Sequence, residues 1–276
     1  MLDADFVKSH GLGNDYIVVD ATHFPVPLTP ERVRLLCHRH LGLGSDGILE
    51  VTAGNDRFFV RIWNPDGSEA ERSGNGLRIA AKFLAEHGYT SESTFAVETI
   101  AGPIRTEVFH EGGRVTAVRL EMGRAAIDRT AKPLHVDRQR LDVTIVSVGN
   151  PHCVVFGQPL ERSRLFHLGP LLENHAHFPK RINVQLAEVE ARDRVRALIW
   201  ERGAGHTLAS GTSACAVAAA SRSRGLVDGR VTVLMEGGML EVEVDKDLDL
   251  VMTGPVEEVF SGMLSADLRT RLQEVQ

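Results

Sequence analysis

One stretch of the chain occurs twice, and the second copy keeps the register of the first. Ile62-Trp63-Asn64-Pro65-Asp66-Gly67 leads to Ser73-Gly74-Asn75-Gly76, and Ile199-Trp200-Glu201-Arg202-Gly203 leads to Ser210-Gly211-Thr212-Ser213, so that 200 − 63 and 210 − 73 both equal 137. In each copy an apolar, strand-like run ends at a tryptophan and a polar turn follows. A Ser-Gly pair then opens an Ala-rich segment of helical composition. A serine just ahead of such a run is a helix N-cap signal. The small residues behind it leave the first-turn N–H groups approachable, and the helix dipole there favours an anion such as a carboxylate.

The echo continues upstream. Gly13-Asn14-Asp15-Tyr16-Ile17-Val18-Val19-Asp20 matches Gly149-Asn150-Pro151-His152-Cys153-Val154-Val155-Phe156 at an offset of 136. A single repetition of about half the chain indicates a duplicated domain, whereas stacked repeats have much shorter periods. The 276 residues suffice for two domains, each of the usual ~100–150 residues with its own core. The expected division is 1–118 with 263–276 for one domain and 119–262 for the other. A ligand site at the seam between two such halves is the expectation.

Charge narrows the partners. Lys plus Arg number 31 against 37 Asp plus Glu, a net charge of −6. That gives no electrostatic footprint for nucleic acid and no basic run for a membrane surface. The start, Met1-Leu2-Asp3-Ala4-Asp5, carries acids where a secretory leader carries bases, and no apolar run approaches the ~20 residues needed to cross a bilayer. A cytoplasmic location is therefore expected. Cys37, Cys153 and Cys215 have no metal or disulfide spacing and read as reduced, buried, small apolar residues. His10, His38 and His40 show no ligand pattern either, so no metal and no cofactor are expected.

Taken in order, Phe6 to Asp20 reads as two strands around a glycine-rich turn at 11–15. Thr29-Pro30-Glu31 opens a helix expected to end near Gly42. Gly42-Leu43-Gly44-Ser45-Asp46-Gly47 lacks the order and context of a dinucleotide loop. Ser73 to His87 reads as a helix stopped by Gly88 and apolar around most of its circumference, as is the run Ala214–Ala220, so both are expected to be buried on nearly all sides. Phe58 to Trp63 reads as a strand leading into the polar turn, and ten further β-branched segments supply a wrapper: 95–99, 104–109, 114–121, 142–148, 154–156, 183–188, 194–200, 230–234, 240–244 and 248–253. The fold class is α+β, two pseudo-symmetric domains, each a curved, mainly antiparallel β-sheet wrapped around a central helix, with the active-site cleft between them. A short helix follows Ser265.

His10-Gly-Leu-Gly-Asn14-Asp15, Asn64-x-Asp66-Gly67-Ser68-Glu69, Ser73-Gly-Asn-Gly, Gly149-Asn-Pro-His152, Arg181-Ile-Asn183-Val184 and Glu201-Arg202-Gly203 with Ser210-Gly-Thr resemble the diaminopimelate epimerase family in order and spacing along essentially the whole chain. The resemblance implies a cofactor-independent isomerase that uses two bases at the α-carbon of an amino acid, converting LL- to meso-diaminopimelate in lysine and peptidoglycan biosynthesis. It further implies that Asn14, Asn64, Asn150, Asn183, Glu201 and Arg202 hold the polar groups of the substrate, and that Gly74, Asn75, Gly211 and Thr212 hold the α-carboxylate. Both positions at which the family carries its proton-transferring cysteines are serine here, Ser73 and Ser210. Some relatives have Gln where this chain has Gly47. A homodimer stays open.

The residues support this chemistry by themselves. Inversion at a carbon bearing hydrogen needs a base on one face and an acid on the other, and helix dipoles stabilise a carboxylate that gains enolate character. Arg202 suits a carboxylate and Glu201 an ammonium, although such neighbours also occur as solvated surface pairs. A serine hydroxyl is far less acidic than a thiol and needs an adjacent base. His152, beside Asn150, is the candidate acid/base group, or else a hydrogen-bonded turn histidine. A relative with a different proton-transfer reaction and a non-catalytic amino-acid-binding or regulatory protein are the alternative readings.

Overall fold

A computed structural model of the chain describes residues 4–54, 57–128 and 133–275. Met1 to Asp3 of the acidic start therefore lie outside the described residues. The chain divides into two compact units, Met1–Leu120 with Gly254–Gln276, and Glu121–Thr253.

The first unit contains β1 (Phe6–Gly11), β2 (Asn14–Asp20), α1 (Pro30–Cys37), β3 (Ile48–Gly54), β4 (Arg57–Trp63), β5 (Glu69–Ala70), α2 (Gly74–Glu86), β6 (Thr94–Thr99) and β7 (Gly102–Glu111), while β8 (Arg114–Arg124) carries the chain into the second unit. The second contains β9 (Ala126–Ile127), β10 (Leu134–Val136), β11 (Gln139–Ser147), β12 (Pro151–Phe156), α3 (Arg162–Glu173), β13 (Asn183–Ala191), β14 (Arg194–Glu201), β15 (Gly205–Thr207), α4 (Gly211–Ser223), β16 (Arg230–Met235) and β17 (Gly238–Val244), and β18 (Asp249–Pro255) leads back. β19 (Glu257–Gly262) and α5 (Ala266–Glu274) complete the first unit. β19 pairs along β1, so the chain rejoins the first unit at Gly254, ahead of the expected residue 263.

From β1 and from β11 the two units run through the same order: two strands, a helix, two strands, a short strand, a helix, then further strands. Pairing follows suit. β2 is parallel to β3 as β12 is to β13, β4 is parallel to β6 as β14 is to β16, and the consecutive hairpins are antiparallel. Strands covered on both faces read as continuous apolar runs, which is why 16–19 and 153–156 show no alternation. Ile17, Val19 and Ile48 pack with Val33, Leu36 and Cys37 of α1, and Leu272 of α5 joins the same cluster. Leu49 points the other way, its Cδ2 lying 3.0 Å from where a β-carbon on Gly76 of α2 would stand. In the second unit Cys153, Val155, Val184 and Leu186 pack on Leu165, Leu168 and Leu172 of α3.

Every residue from Gly74 to Leu84 in α2, and from Gly211 to Ser221 in α4, is buried. Ser73 and Ser210 are the N-caps, each accepting a first-turn N–H, from Gly76 and from Ser213. Three features differ from the sequence reading. α1 stops at Cys37 rather than near Gly42, because His38 turns to extended geometry and its Nδ1 accepts from the N–H groups of His40 and Leu41. α3 is an additional helix with Gly169 and Pro170 inside it, and a β-carbon at Gly169 would lie 2.5 Å from the Trp200 ring, so the glycine is what lets the indole seat on the helix. α2, finally, buries two cations among its apolar residues, Arg78 and Lys82.

Candidate active site

In the first unit the expected site residues gather at the mouth of β2 and the N-terminus of α2. The guanidinium of Arg78, fully buried, donates through one terminal nitrogen to Asn75 Oδ1 at 3.0 Å and through the other to the Gly74 carbonyl at 3.2 Å. Asn75 Nδ2 donates to Asn14 Oδ1 at 3.0 Å, and Asn14 Nδ2 donates to Asp46 Oδ2 at 3.0 Å. The chain of donors runs one way, from a buried cation to a carboxylate, which fixes the orientation of both amides. A β-carbon on Gly11 would meet an Arg78 terminal nitrogen at 2.7 Å, so a side chain there would shift the guanidinium.

Next to Asn14, Asp15 lies 2.7 Å from Lys8 Nζ and 2.8 Å from an Arg39 nitrogen. Burial works against ionisation there, but the hydrogen bonds from Arg39 and Lys8 prevail and push its carboxyl down to about 2. Ser73 Oγ accepts from Gly76 N at 3.0 Å and stands 3.2 Å from the Tyr16 hydroxyl. Asn64 Nδ2 donates to Ser68 Oγ at 2.9 Å. Asp66 Oδ1 accepts from the backbone and hydroxyl of Ser68, and Glu69 pairs with Arg61, so both acids serve the turn.

In the second unit the corresponding elements are the mouth of β12 and the N-terminus of α4. Ser210 Oγ donates to Glu201 Oε2 at 3.2 Å, while Glu201 Oε1 accepts from the Thr207 hydroxyl at 2.8 Å. Ser210 and Thr212 are both buried, with their hydroxyls 3.5 Å apart. Asn183 Nδ2 donates to the Pro151 carbonyl and its Oδ1 accepts from the Arg202 N–H, both at 2.9 Å. The Arg202 side chain is exposed and donates to the Lys180 carbonyl at 3.3 Å. Gly203 N donates to Glu173 Oε1 at 2.9 Å, and Trp200 Nε1 to Glu173 Oε2 at 2.8 Å, so a buried carboxylate on α3 holds both ends of the Glu201-Arg202 turn.

His152 is fully buried. Its Nδ1 accepts from Gln185 Nε2 at 3.0 Å, which leaves the ring proton on Nε2, 2.9 Å from Asn150 Oδ1. Gln185 Nε2 also reaches Ser213 Oγ at 3.0 Å, and its Oε1 is buried without a partner. Burial first, and then the positive charge of Arg202, holds the imidazole neutral, with its pKa down at about 3. The cysteines offer no substitute nucleophile. All three are buried, and burial raises the thiols of Cys37 and Cys153, the latter to about 12.

Sequence reasoning missed Arg78, Tyr16, Gln185 and Glu173. The signal for Arg78 was a cation four residues ahead of Lys82 in an otherwise apolar helix. It is also the repeat partner of Cys215, since 215 − 78 is 137.

The family model described as diaminopimelate epimerase matches residues 6–127 and 144–259. The chain belongs to the diaminopimelate epimerase family. It is 40% identical to diaminopimelate epimerase of Moorella thermoacetica over 277 residues, covering 95% of this chain and 99% of that one. It is 41% identical to the enzyme of the same name from Pelotomaculum thermopropionicum, covering 93% and 97%. In fold it is similar to a probable proline racemase from Agrobacterium radiobacter, with a TM-score of 0.74 at 16% identity over 95% of this chain and 93% of that chain. Among the described residues no helix is long and apolar enough to cross a membrane.

Proposed function

We propose that the chain moves the α-proton of diaminopimelate, without a cofactor, from one face of the carbon to the other. Ser210 and Ser73 act at the two proton-transfer positions. The observation that carries this reading is the hydrogen bond from Ser210 to Glu201. A serine hydroxyl removes a proton from carbon only if its own proton has somewhere to go, and a carboxylate 3.2 Å away is such an acceptor. In the forward step the substrate Cα–H proton passes to Ser210 Oγ as the serine proton passes to Glu201 Oε2. The electron pair left on carbon spreads into the α-carboxylate. Ser73 then gives its proton to the opposite face.

The N–H groups of Gly74 and Asn75 and of Gly211 and Thr212 are the donors for the α-carboxylate, where helix dipoles favour the added enolate charge. Asn14, Asn64, Asn150, Asn183 and Arg202 hold the remaining polar groups. His152 acts through Asn150, because a ring held neutral with both nitrogens engaged orients an amide better than it shuttles protons. The homodimer rests on the family reading alone and is decided by sedimentation.

Glu201→Gln keeps the shape and removes the proton acceptor. The expected result is loss of deuterium uptake at the α-carbon in D₂O, followed by NMR, with diaminopimelate affinity by calorimetry changed far less. Uptake equal to that of the unsubstituted chain contradicts the role of Glu201, and absence of any binding favours a protein of another substrate class.

A further inference from the structure

Tyr16 is the repeat partner of His152, since 152 − 16 is 136, yet the two side chains do different things. His152 is bound within the second unit to Asn150 and Gln185. The Tyr16 hydroxyl instead lies 3.2 Å from Ser73 Oγ. Its position is fixed from several sides. The Asp15 carbonyl accepts from Asp46 N at 2.9 Å and Ile17 N donates to the Gly47 carbonyl at 3.1 Å, which ties the backbone on both sides of Tyr16 to the 46–47 segment. The ring fills the space that a side chain at position 47 would take. A β-carbon on Gly47 would lie 2.6 Å from Tyr16 Cε1 and 2.5 Å from the Trp63 carbonyl oxygen. Tyr16 is 7% exposed.

We propose that Tyr16 is a positioning residue that holds Ser73 in the proton-donating state, so that the two serines work as an unequal pair. The inference rests on the epimerase reading of Ser73. A hydroxyl oxygen has two lone pairs and one proton. Ser73 Oγ already accepts from Gly76 N. The phenol, with a reference pKa near ~10, is the more acidic of the two hydroxyls and is therefore the donor between them. With both lone pairs taken in this way, the serine proton is the one left to give, and on the epimerase reading the substrate is what receives it. When Ser73 gives that proton up, the oxygen left behind is stabilised by two donors, and the Tyr16 proton moves to it. The resulting phenolate recovers a proton from water, and the Glu201 carboxyl, protonated through Ser210 in the forward step, releases one to water, so the balance closes through solvent. Ser210 is arranged the opposite way, its proton directed at the Glu201 carboxylate. One serine is set to take a proton and the other to give one.

The test separates this contact from the overall reading by using a readout that needs no substrate. In Ser73→Cys the introduced thiol is the half-buried one, whereas Cys37, Cys153 and Cys215 are buried, so iodoacetamide alkylation against pH reports its ionisation. A hydrogen bond from Tyr16 stabilises the thiolate, and adding Tyr16→Phe should raise the measured thiol pKa by about one unit or more. Gly47→Ala, which displaces the ring, should do the same. An unchanged or lowered pKa in both combinations overturns the proposal. A second arm uses diaminopimelate in D₂O with the serines in place. Tyr16→Phe should lower inversion tenfold or more while deuterium wash-in with retention, driven from Ser210, persists. A parallel fall in both identifies Tyr16 as structural only and overturns the polarity. A raised thiol pKa in a chain that neither exchanges nor inverts diaminopimelate upholds the contact and defeats the epimerase reading.

Discussion

Replacing Glu173 tests whether the Glu201-Arg202 turn is held from behind by α3. The carboxylate accepts from Trp200 Nε1 at 2.8 Å, from Gly203 N at 2.9 Å and from Arg181 at 3.2 Å. The Arg181 side chain is 53% exposed, so its share is below about 1 kcal/mol. The other two are hydrogen bonds to a charged group that is itself 6% exposed, at roughly 1.5–3 kcal/mol each. Removing a buried charge returns part of that sum. For Glu173→Ala the expected loss is therefore about 3 kcal/mol. Glu173→Gln keeps one acceptor but turns an N–H toward the second donor, and should lose about half as much. Urea unfolding followed by Trp200 fluorescence, with Trp63 replaced by Phe in every sample, reads the second unit directly. Faster amide hydrogen exchange at Gly203 should accompany the shift. A loss under about 1 kcal/mol for the alanine variant, with Gly203 exchange unchanged, refutes the argument.

Two further outcomes concern pH. Asp15 has its carboxyl pushed from 3.8 down to about 2 by Arg39 and Lys8 acting against burial, so its contribution is complete above pH 3.8 and disappears as pH falls through 2. Asp15→Asn should accordingly cost about 2 kcal/mol at pH 7 and nothing near pH 2, measured by urea midpoints. His152 is the opposite chemical type with the same sign. Its folded pKa of about 3 lies below the ordinary 6.5, so only the unfolded chain takes up the proton between those values, and stability falls as pH drops from 6.5 toward 3. Between pH 6.5 and 5 the unsubstituted chain should lose about 2 kcal/mol more than His152→Gln, and an NMR titration of His152 near 6.5 would contradict its neutrality.

The repeated stretch made much of this fold legible, for a reason that particular residues show. An N-cap serine, a tryptophan at a strand end and a Gly-Asn turn are local signals, and local hydrogen bonds satisfy them in the structure: Ser73 with Gly76, and Ser210 with Ser213. α3 was illegible because Gly169-Pro170 resembles a break, and only the approach of Trp200, far along the chain, explains the glycine. Arg78 was illegible because its acceptors Gly74 and Asn75 are joined by the Pro255 carbonyl, 177 residues away. The site residues split the same way. Asn14 and Ser73 announce themselves by position, while the partners that give each serine its character, Tyr16 and Glu201, are set by which strand lies beside which helix end.

The most direct test follows α-deuterium uptake and optical inversion of diaminopimelate in parallel, for the unsubstituted chain, Ser73→Cys, Ser210→Cys and the double variant. A thiol is far more acidic than a serine hydroxyl. The unsubstituted chain should therefore invert slowly, each single variant should gain only at the step it serves, and the double variant should exceed the sum of the singles, because inversion needs both transfers in one turnover. Fast inversion that survives replacing both serines by alanine, or a well-folded double-cysteine variant that binds diaminopimelate and leaves its α-proton in place, would contradict the assignment of Ser73 and Ser210.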